Sequence, residues 1–217
     1  MTPVPRLITT LVLAMTVAAC DSARGEARGN TADNPSPTVI ATHVDSAAPI
    51  DELLRRFRAD APVRPERFTH GARSREELVT FFAHAVRTRD SSTFGRLMLS
   101  RAEFAWLYYP TNPVAVAPYE LDPALMWFRI MGESEKGLSR LLPRLGGGTS
   151  AGGGRPAFTY IDHACPPEAE HQGENRIWGP CSVRYETAAG DTAVARLFGA
   201  IVERGDIFKF VSYANKM

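Results

Sequence analysis

Hydrophobic positions along this chain fall into four successive patterns. Leu7 to Ala19 is an apolar run without a charge, preceded by the single basic residue Arg6. A helix that spans a bilayer needs about 20 apolar residues, and Asp21, Arg24 and Glu26 end this run too early. Residues 21–48 are rich in Ala, Gly, Ser, Thr, Asn, Asp and Pro, with Asn34-Pro35-Ser36-Pro37 in the middle. Apolar side chains are too scattered there to offset the entropy of ordering the chain, and the segment reads as a flexible tether reaching about 30 Å. Helical spacing then takes over, and the last third is written in strand signals.

Within the helical part, Asp51 to Arg58 predicts a short helix with Leu53, Leu54 and Phe57 on one side. Ser74 with Glu77 three residues on has the form of a capping box. Behind it Leu78, Phe81, Phe82, Ala85 and Val86 fall at the spacing of one buried stripe. A second helix is expected over 91–99. Ser100 and Glu103 form another capping box, opening a helix through Phe104-Ala105-Trp106-Leu107-Tyr108-Tyr109 that stops at Pro110. Asp122-Pro123 gives an N-cap followed by proline at the first helical position, and that helix is expected to end at Pro143. The glycine-rich stretch 146–154 lacks the Lys-Ser/Thr ending of a phosphate loop and follows no strand, so it reads as a surface loop.

Strand-rich runs follow at 157–164, 181–187, 192–203 and 206–214, with Ala189-Gly190-Asp191 and Arg204-Gly205-Asp206 as hairpin turns. Helices first and strands after predict an α+β domain over 49–217, with N-terminal helices packed on one face of a curved antiparallel sheet. Without residues 1–19 the chain holds 24 basic against 24 acidic side chains. A balance near zero gives no electrostatic footprint for nucleic acid.

Val17-Ala18-Ala19-Cys20, at the end of the first apolar run, resembles the lipobox of bacterial lipoproteins. The resemblance implies that 1–19 is a signal peptide, that a diacylglycerol is attached at Cys20, and that the mature chain sits in the cell envelope, tied to a membrane by lipid and facing the periplasm or the exterior. Two acyl chains anchor stably, at about 0.8 kcal/mol per buried methylene.

The final Phe208-Lys209-Phe210-Val211-Ser212-Tyr213, with Glu76-Glu77-Leu78-Val79-Thr80-Phe81-Phe82-Ala83 and Asp90-Ser91-Ser92-Thr93-Phe94 upstream, resembles the nuclear transport factor 2-like superfamily over about 70–217. These are α+β cones in which a bent sheet wraps a long helix. The resemblance departs at 100–156, where a helical insert replaces short strands. It implies a pocket and not a particular function, because the superfamily holds isomerases, dehydratases, hydrolases and proteins without catalysis.

Candidate chemistry is sparse. With Cys20 taken by lipid in an oxidising envelope, Cys165 and Cys181 form an even pair that reads as a disulfide. It closes a loop of about 15 residues, Pro166 to Pro180, that would otherwise be loose, and contributes about 3 kcal/mol. The competing zinc set Asp162, His163, Cys165, His171 and Cys181 fits no familiar ligand spacing. No metal and no cofactor is expected. If the cysteines join neighbouring strands, Ile161, His163, Val183 and Tyr185 share their face, unless a bulge intervenes. Pocket lining is assigned to Trp106, Tyr108, Tyr109, Trp127, His163 and Tyr185, since aromatics dominate small-molecule pockets.

The leading expectation is a non-enzymatic, membrane-anchored lipoprotein that binds a small apolar ligand or an envelope protein partner. The alternative is an isomerase, dehydratase or hydrolase with His163 or Asp162 as base and Tyr160 or Tyr185 polarising the substrate. A third is self-association, as a homodimer, through the outer sheet face.

Overall fold

The structure, a computed structural model, describes residues 48–147 and 156–217. The apolar leader, Cys20, the tether up to residue 47 and 148–155 of the glycine-rich loop lie outside the described residues. Helices precede strands, and the fold is α+β.

Helix α1 (Ile50–Ala59) buries Phe57 edge-on against Phe104, 5.6 Å between centroids. Helix α2 (Arg75–Thr88) begins as expected at Ser74, whose Oγ accepts the Glu77 N–H. Glu77 does not close the box, because its carboxylate takes the Arg73 N–H at 2.6 Å. Leu78, Phe82, Ala85 and Val86 are fully buried, whereas Phe81 is 41% exposed and Val79 and Ala83 are buried in its place. The buried arc is rotated because α2 is packed from several sides, by α3, α5, β1 and β7. Helix α3 (Ser91–Leu97) is capped by Asp90.

At Ser100 the capping box is complete and starts α4 (Arg101–Glu103), which passes into a π-helical turn at Phe104–Tyr108 and two 3-10 turns, Tyr109–Thr111 and Pro113–Ala115. Helix α5 (Pro123–Leu145) is capped by Asp122 and continues past Pro143 for two more residues. The C-terminal segment crosses it so closely that a Cβ at Gly137 would lie 1.8 Å from the Tyr213 carbonyl oxygen. Asn215 seals that crossing with a 2.8 Å bond to the Gly137 carbonyl.

Seven strands follow: β1 (Phe158–Ala164), β2 (Glu170–Gln172), β3 (Asn175–Trp178), β4 (Ser182–Thr187), β5 (Thr192–Ala195), β6 (Ile201–Arg204) and β7 (Ile207–Phe210). They form two antiparallel sheets, β1-β4-β5 and β2-β3-β6-β7, instead of one meander. The two are halves of the same bent hairpins. The single run expected over 192–203 breaks at 196–200, and its partner breaks at Gly179-Pro180, where proline has no N–H for the ladder. Asn175↔Arg204 to Trp178↔Ile201 lies on one side of the crease and Val183↔Ala195 to Glu186↔Thr192 on the other. The Cys165–Cys181 disulfide is formed and joins the outer pair of runs at this crease, Cα to Cα 4.2 Å. The stretch that the disulfide closes carries the β2–β3 hairpin, turned at Gly173 in a left-handed conformation, φ +61°.

Helices cover both faces of the four-stranded sheet, not one. Ile201 and Phe210 pack with α2, while their neighbours Val202 and Val211 pack with Phe57 of α1 and Phe104 of the π turn. Successive residues buried on opposite sides require a second layer, and the insert after Ser100 supplies it. Its seam with β7 is polar. Glu103 and Lys209, 1% and 2% exposed, meet at 2.7 Å. The Glu103 carboxylate also accepts the N–H groups of Thr69 and Ser100 and the Thr69 hydroxyl, and Lys209 donates a second bond to the Thr69 carbonyl. Burial pushes the Glu103 carboxyl up, but the Lys209 ammonium and these bonds outweigh it and hold it below its ordinary value.

Candidate functional site

The candidate acid–base residues all come from the β1–β4 ladder, and a bulge sorts them. Tyr160 pairs with Tyr185 and Asp162 with Arg184, so Ile161 is the extra residue of a β-bulge. Ile161 is 43% exposed instead of sharing the cysteine face. Past the bulge His163 sits opposite Val183, on the side facing α2. The bulge therefore brings Tyr160 and His163, three residues apart, onto one face. Asp162 goes to the other, where it is bound by Arg184 across the ladder. Tyr185 is buried against Phe158, centroids 5.2 Å apart. Of the four, only Tyr160 and His163 are joined by a side-chain hydrogen bond.

The partner that completes them is Glu76, in the first turn of α2. The Tyr160 hydroxyl donates to Glu76 Oε1 at 2.9 Å, and His163 Nδ1 lies 3.0 Å from that hydroxyl and 3.3 Å from Glu76 Oε2. A phenol has one proton to give. Because Glu76 receives it, Nδ1 carries the imidazole hydrogen and Nε2 is the bare nitrogen. Burial pushes the His163 pKa down; Glu76 opposes this and Arg75 assists it, so the ring is neutral at neutral pH. Burial, and then the bond to Glu76, push the Tyr160 phenol up and keep it protonated. Glu76 gave no signal in the sequence as a site residue, since α2 meets β1 only in the folded chain.

This cluster borders an open cleft of about 600 Å³ formed by Ser74, Arg75 and Glu76 of α2 with His163, Cys165 and Phe208. The Arg75 guanidinium lies 3.9 Å above the Trp178 ring, whose N–H is held by Glu203 at 2.9 Å.

The aromatic set of the insert is placed in the packing between layers. Tyr108 and Tyr109 are 5% and 1% exposed and surround Phe104 with Trp127, whose ring centroid is 5.1 Å from that of Phe104. The Tyr109 hydroxyl is spent on the Leu121 carbonyl, and burial pushes the Tyr108 phenol up to about 12. Trp106 donates to the Ala61 carbonyl and lies under Arg58, 4.0 Å from its ring.

A different, apolar groove runs between α3 and α5, with a volume of about 640 Å³. Phe94, Gly95 and Met98 form one wall, Met131, Leu138 and Leu142 the other, and Tyr213 lies at its base. Ser134, Ser139 and Tyr213 in it are already bonded within the protein, while Ser91 and Glu135 also line it. Ser134 Oγ donates to the Ile130 carbonyl and accepts the Tyr213 N–H, and the Tyr213 hydroxyl donates to the Phe94 carbonyl. Gly95 sits in α3 with no atom within 4 Å of where its Cβ would be. Leu125, Phe128 and Met131, three residues apart on α5 and 48%, 73% and 41% exposed, continue the apolar line beyond the groove. The groove residues are legible in the sequence as helix stripes, but the space between those stripes is not.

No family model, curated protein or solved structure matches this chain. Among the described residues no helix is long and apolar enough to cross a membrane, and no three His, Cys, Asp or Glu side chains are grouped to hold a metal ion. Both sulfurs of the zinc set are in the disulfide, and Asp162 is turned to Arg184.

Proposed function

We propose that this protein is a lipid-anchored lipoprotein of the cell envelope whose α+β domain binds a small apolar ligand in the groove between α3 and α5. The observation that carries the binding reading is the groove's lining. It is mostly hydrocarbon, Ser134, Ser139 and Tyr213 in it are committed to internal bonds, and its volume lies within the range of small-molecule sites, about 300 to 1,000 Å³. A ligand there gains by burying apolar surface, at about 25 cal/mol per Å². The occupant is therefore a hydrocarbon-rich molecule, such as a single acyl chain, and not a sugar or a nucleotide. The anchor rests on the likeness of Val17-Ala18-Ala19-Cys20 to a lipobox, and a cone of the nuclear transport factor 2-like kind on the helix and strand patterns described above.

Two measurements test the reading. A Cys20→Ala variant should leave the membrane fraction and appear in soluble extract; retention in the membrane contradicts the anchor. The same soluble variant should bind an apolar naphthylamine dye saturably, with one equivalent displaced by a long-chain fatty acid. Leu138→Glu, which places a charge in the groove wall, should abolish that binding, and unchanged binding in the variant contradicts the site. Capture of a protein on the groove with no displacement by fatty acid would replace the ligand with an envelope partner.

A further inference from the structure

We propose that the cleft at the start of α2 is a second, catalytic site that hydrolyses small esters, with His163 as general base and Glu76 and Tyr160 as the residues that position it. It does not rest on the apolar groove, whose lining it does not share.

The imidazole is closed on one side and open on the other. Nδ1 is fixed by Glu76 and Tyr160. Nε2 has no partner among the described residues, although only 9% of the side chain is exposed, and the ring borders the cleft. A structural histidine uses both nitrogens or leaves the spare one in bulk water. This one is nine-tenths buried and held in one tautomer, and its residue lines the cleft. The charges around it are Arg75 and Glu76 from α2 and Asp162 from its own strand, with apolar Val183 opposite on β4.

The cleft favours hydrolysis over enolisation. Glu76 is 66% exposed, so water enters as far as the cluster, whereas a base that enolises a substrate is served by excluding water. Nε2 takes a proton from a water as its oxygen adds to the ester carbonyl, giving a tetrahedral oxyanion and an imidazolium. The first N–H groups of α2, a 14-residue helix, have no partners within the helix. Those of Arg75 and Glu76, at the rim of the cleft, supply donors for that oxyanion. Collapse breaks the bond to the alkoxide, and the imidazolium returns its proton to it. The products are a carboxylic acid and an alcohol, and the base is regenerated without cofactor or oxidant.

The test is hydrolysis of p-nitrophenyl acetate by the full chain in mild detergent, with folding of every variant checked by its melting curve. The native protein should exceed an equal concentration of free imidazole, and its rate should rise with pH through an inflection below the ordinary histidine value. His163→Gln should lose about 100-fold or more. Glu76→Gln should lose about tenfold and move the inflection to still lower pH, because Glu76 is what raises the His163 pKa; a merely structural carboxylate would leave the inflection in place. His84→Gln, an exposed histidine on the same helix, should hydrolyse as the native protein does. A native rate no greater than that of imidazole, or a His163→Gln rate equal to native, overturns the proposal. Should the His163 variants fail to fold, acylation of the native protein by diethyl pyrocarbonate decides. Loss of rate in step with modification at His163 supports the site, and complete modification at His163 with the rate unchanged overturns it.

Discussion

The seam between β7 and the insert and the groove between α3 and α5 are both built where helices meet the rest of the domain, and they are finished in opposite ways. At the seam every carboxylate oxygen of Glu103 is bonded, Lys209 is 2% exposed, and no room is left. At the groove Ser134 and Tyr213 are also bonded, but the apolar side chains stop short of one another and leave about 640 Å³ open. Interiors pack to crystal density where stability alone decides. On the function proposed above, the open apolar space of the groove is what a ligand fills.

The largest effect expected from this contrast is at the seam. Glu103→Gln leaves Lys209 buried with a neutral partner and should cost about 3 to 5 kcal/mol in denaturant unfolding. A double change, Glu103→Leu with Lys209→Met, should recover much of that, since two apolar residues carry no desolvation penalty. A Glu103→Gln loss below about 1 kcal/mol would show that the seam is an ornament of the packing. The depressed Glu103 carboxyl also sets a sign for pH. Its stabilisation is present above the ordinary carboxyl range and is lost as pH falls through its lower folded value, so acid unfolding should flatten in Glu103→Gln.

Next in size is the crease of the sheet. Replacing Cys165 and Cys181 together by Ser frees a 16-residue separation and should cost about 3 kcal/mol, read as a fall in melting temperature that reductant reproduces in the native protein. A smaller and opposite effect belongs to the groove. Gly95→Leu meets no neighbour at its Cβ and replaces a helix-interior glycine, so it should stabilise by about 0.5 to 1 kcal/mol while narrowing the space and weakening dye binding. Destabilisation there would mean that the groove closes in solution. The smallest effect is at Glu76. Glu76→Gln, at a side chain 66% exposed, should change stability by no more than about 0.5 kcal/mol, so that any loss of hydrolysis is a loss of function and not of fold.

Much of this fold is legible in local chemistry. Ser74, Ser100 and Asp122 mark the starts of three helices because a side-chain oxygen near free N–H groups is a local signal. The Cys165–Cys181 bridge is legible because two cysteines in one domain leave a single pairing. What was missed depends on distance along the chain. Phe81 has the spacing of a core residue, yet α2 turns it outward because its neighbours press from other sides. The long run over 192–203 reads as one strand because nothing in its own alternation shows the crease that Gly179-Pro180 imposes on its partner. Glu76 and His163 are 87 residues apart, and only the bulge at Ile161, itself unmarked, turns Tyr160 and His163 together toward α2.

The measurement that bears most directly on the open groove is native against denaturing mass spectrometry of the full chain purified from its native cells. A covalent lipid on Cys20, as proposed, would stay with the chain in both spectra, so only a held ligand is lost on denaturation. A hydrocarbon-rich mass released from the native protein, and absent from Gly95→Leu, is the predicted result. A native mass equal to the denatured one, with no saturable uptake of added fatty acid, would contradict the claim that this space is kept for a ligand.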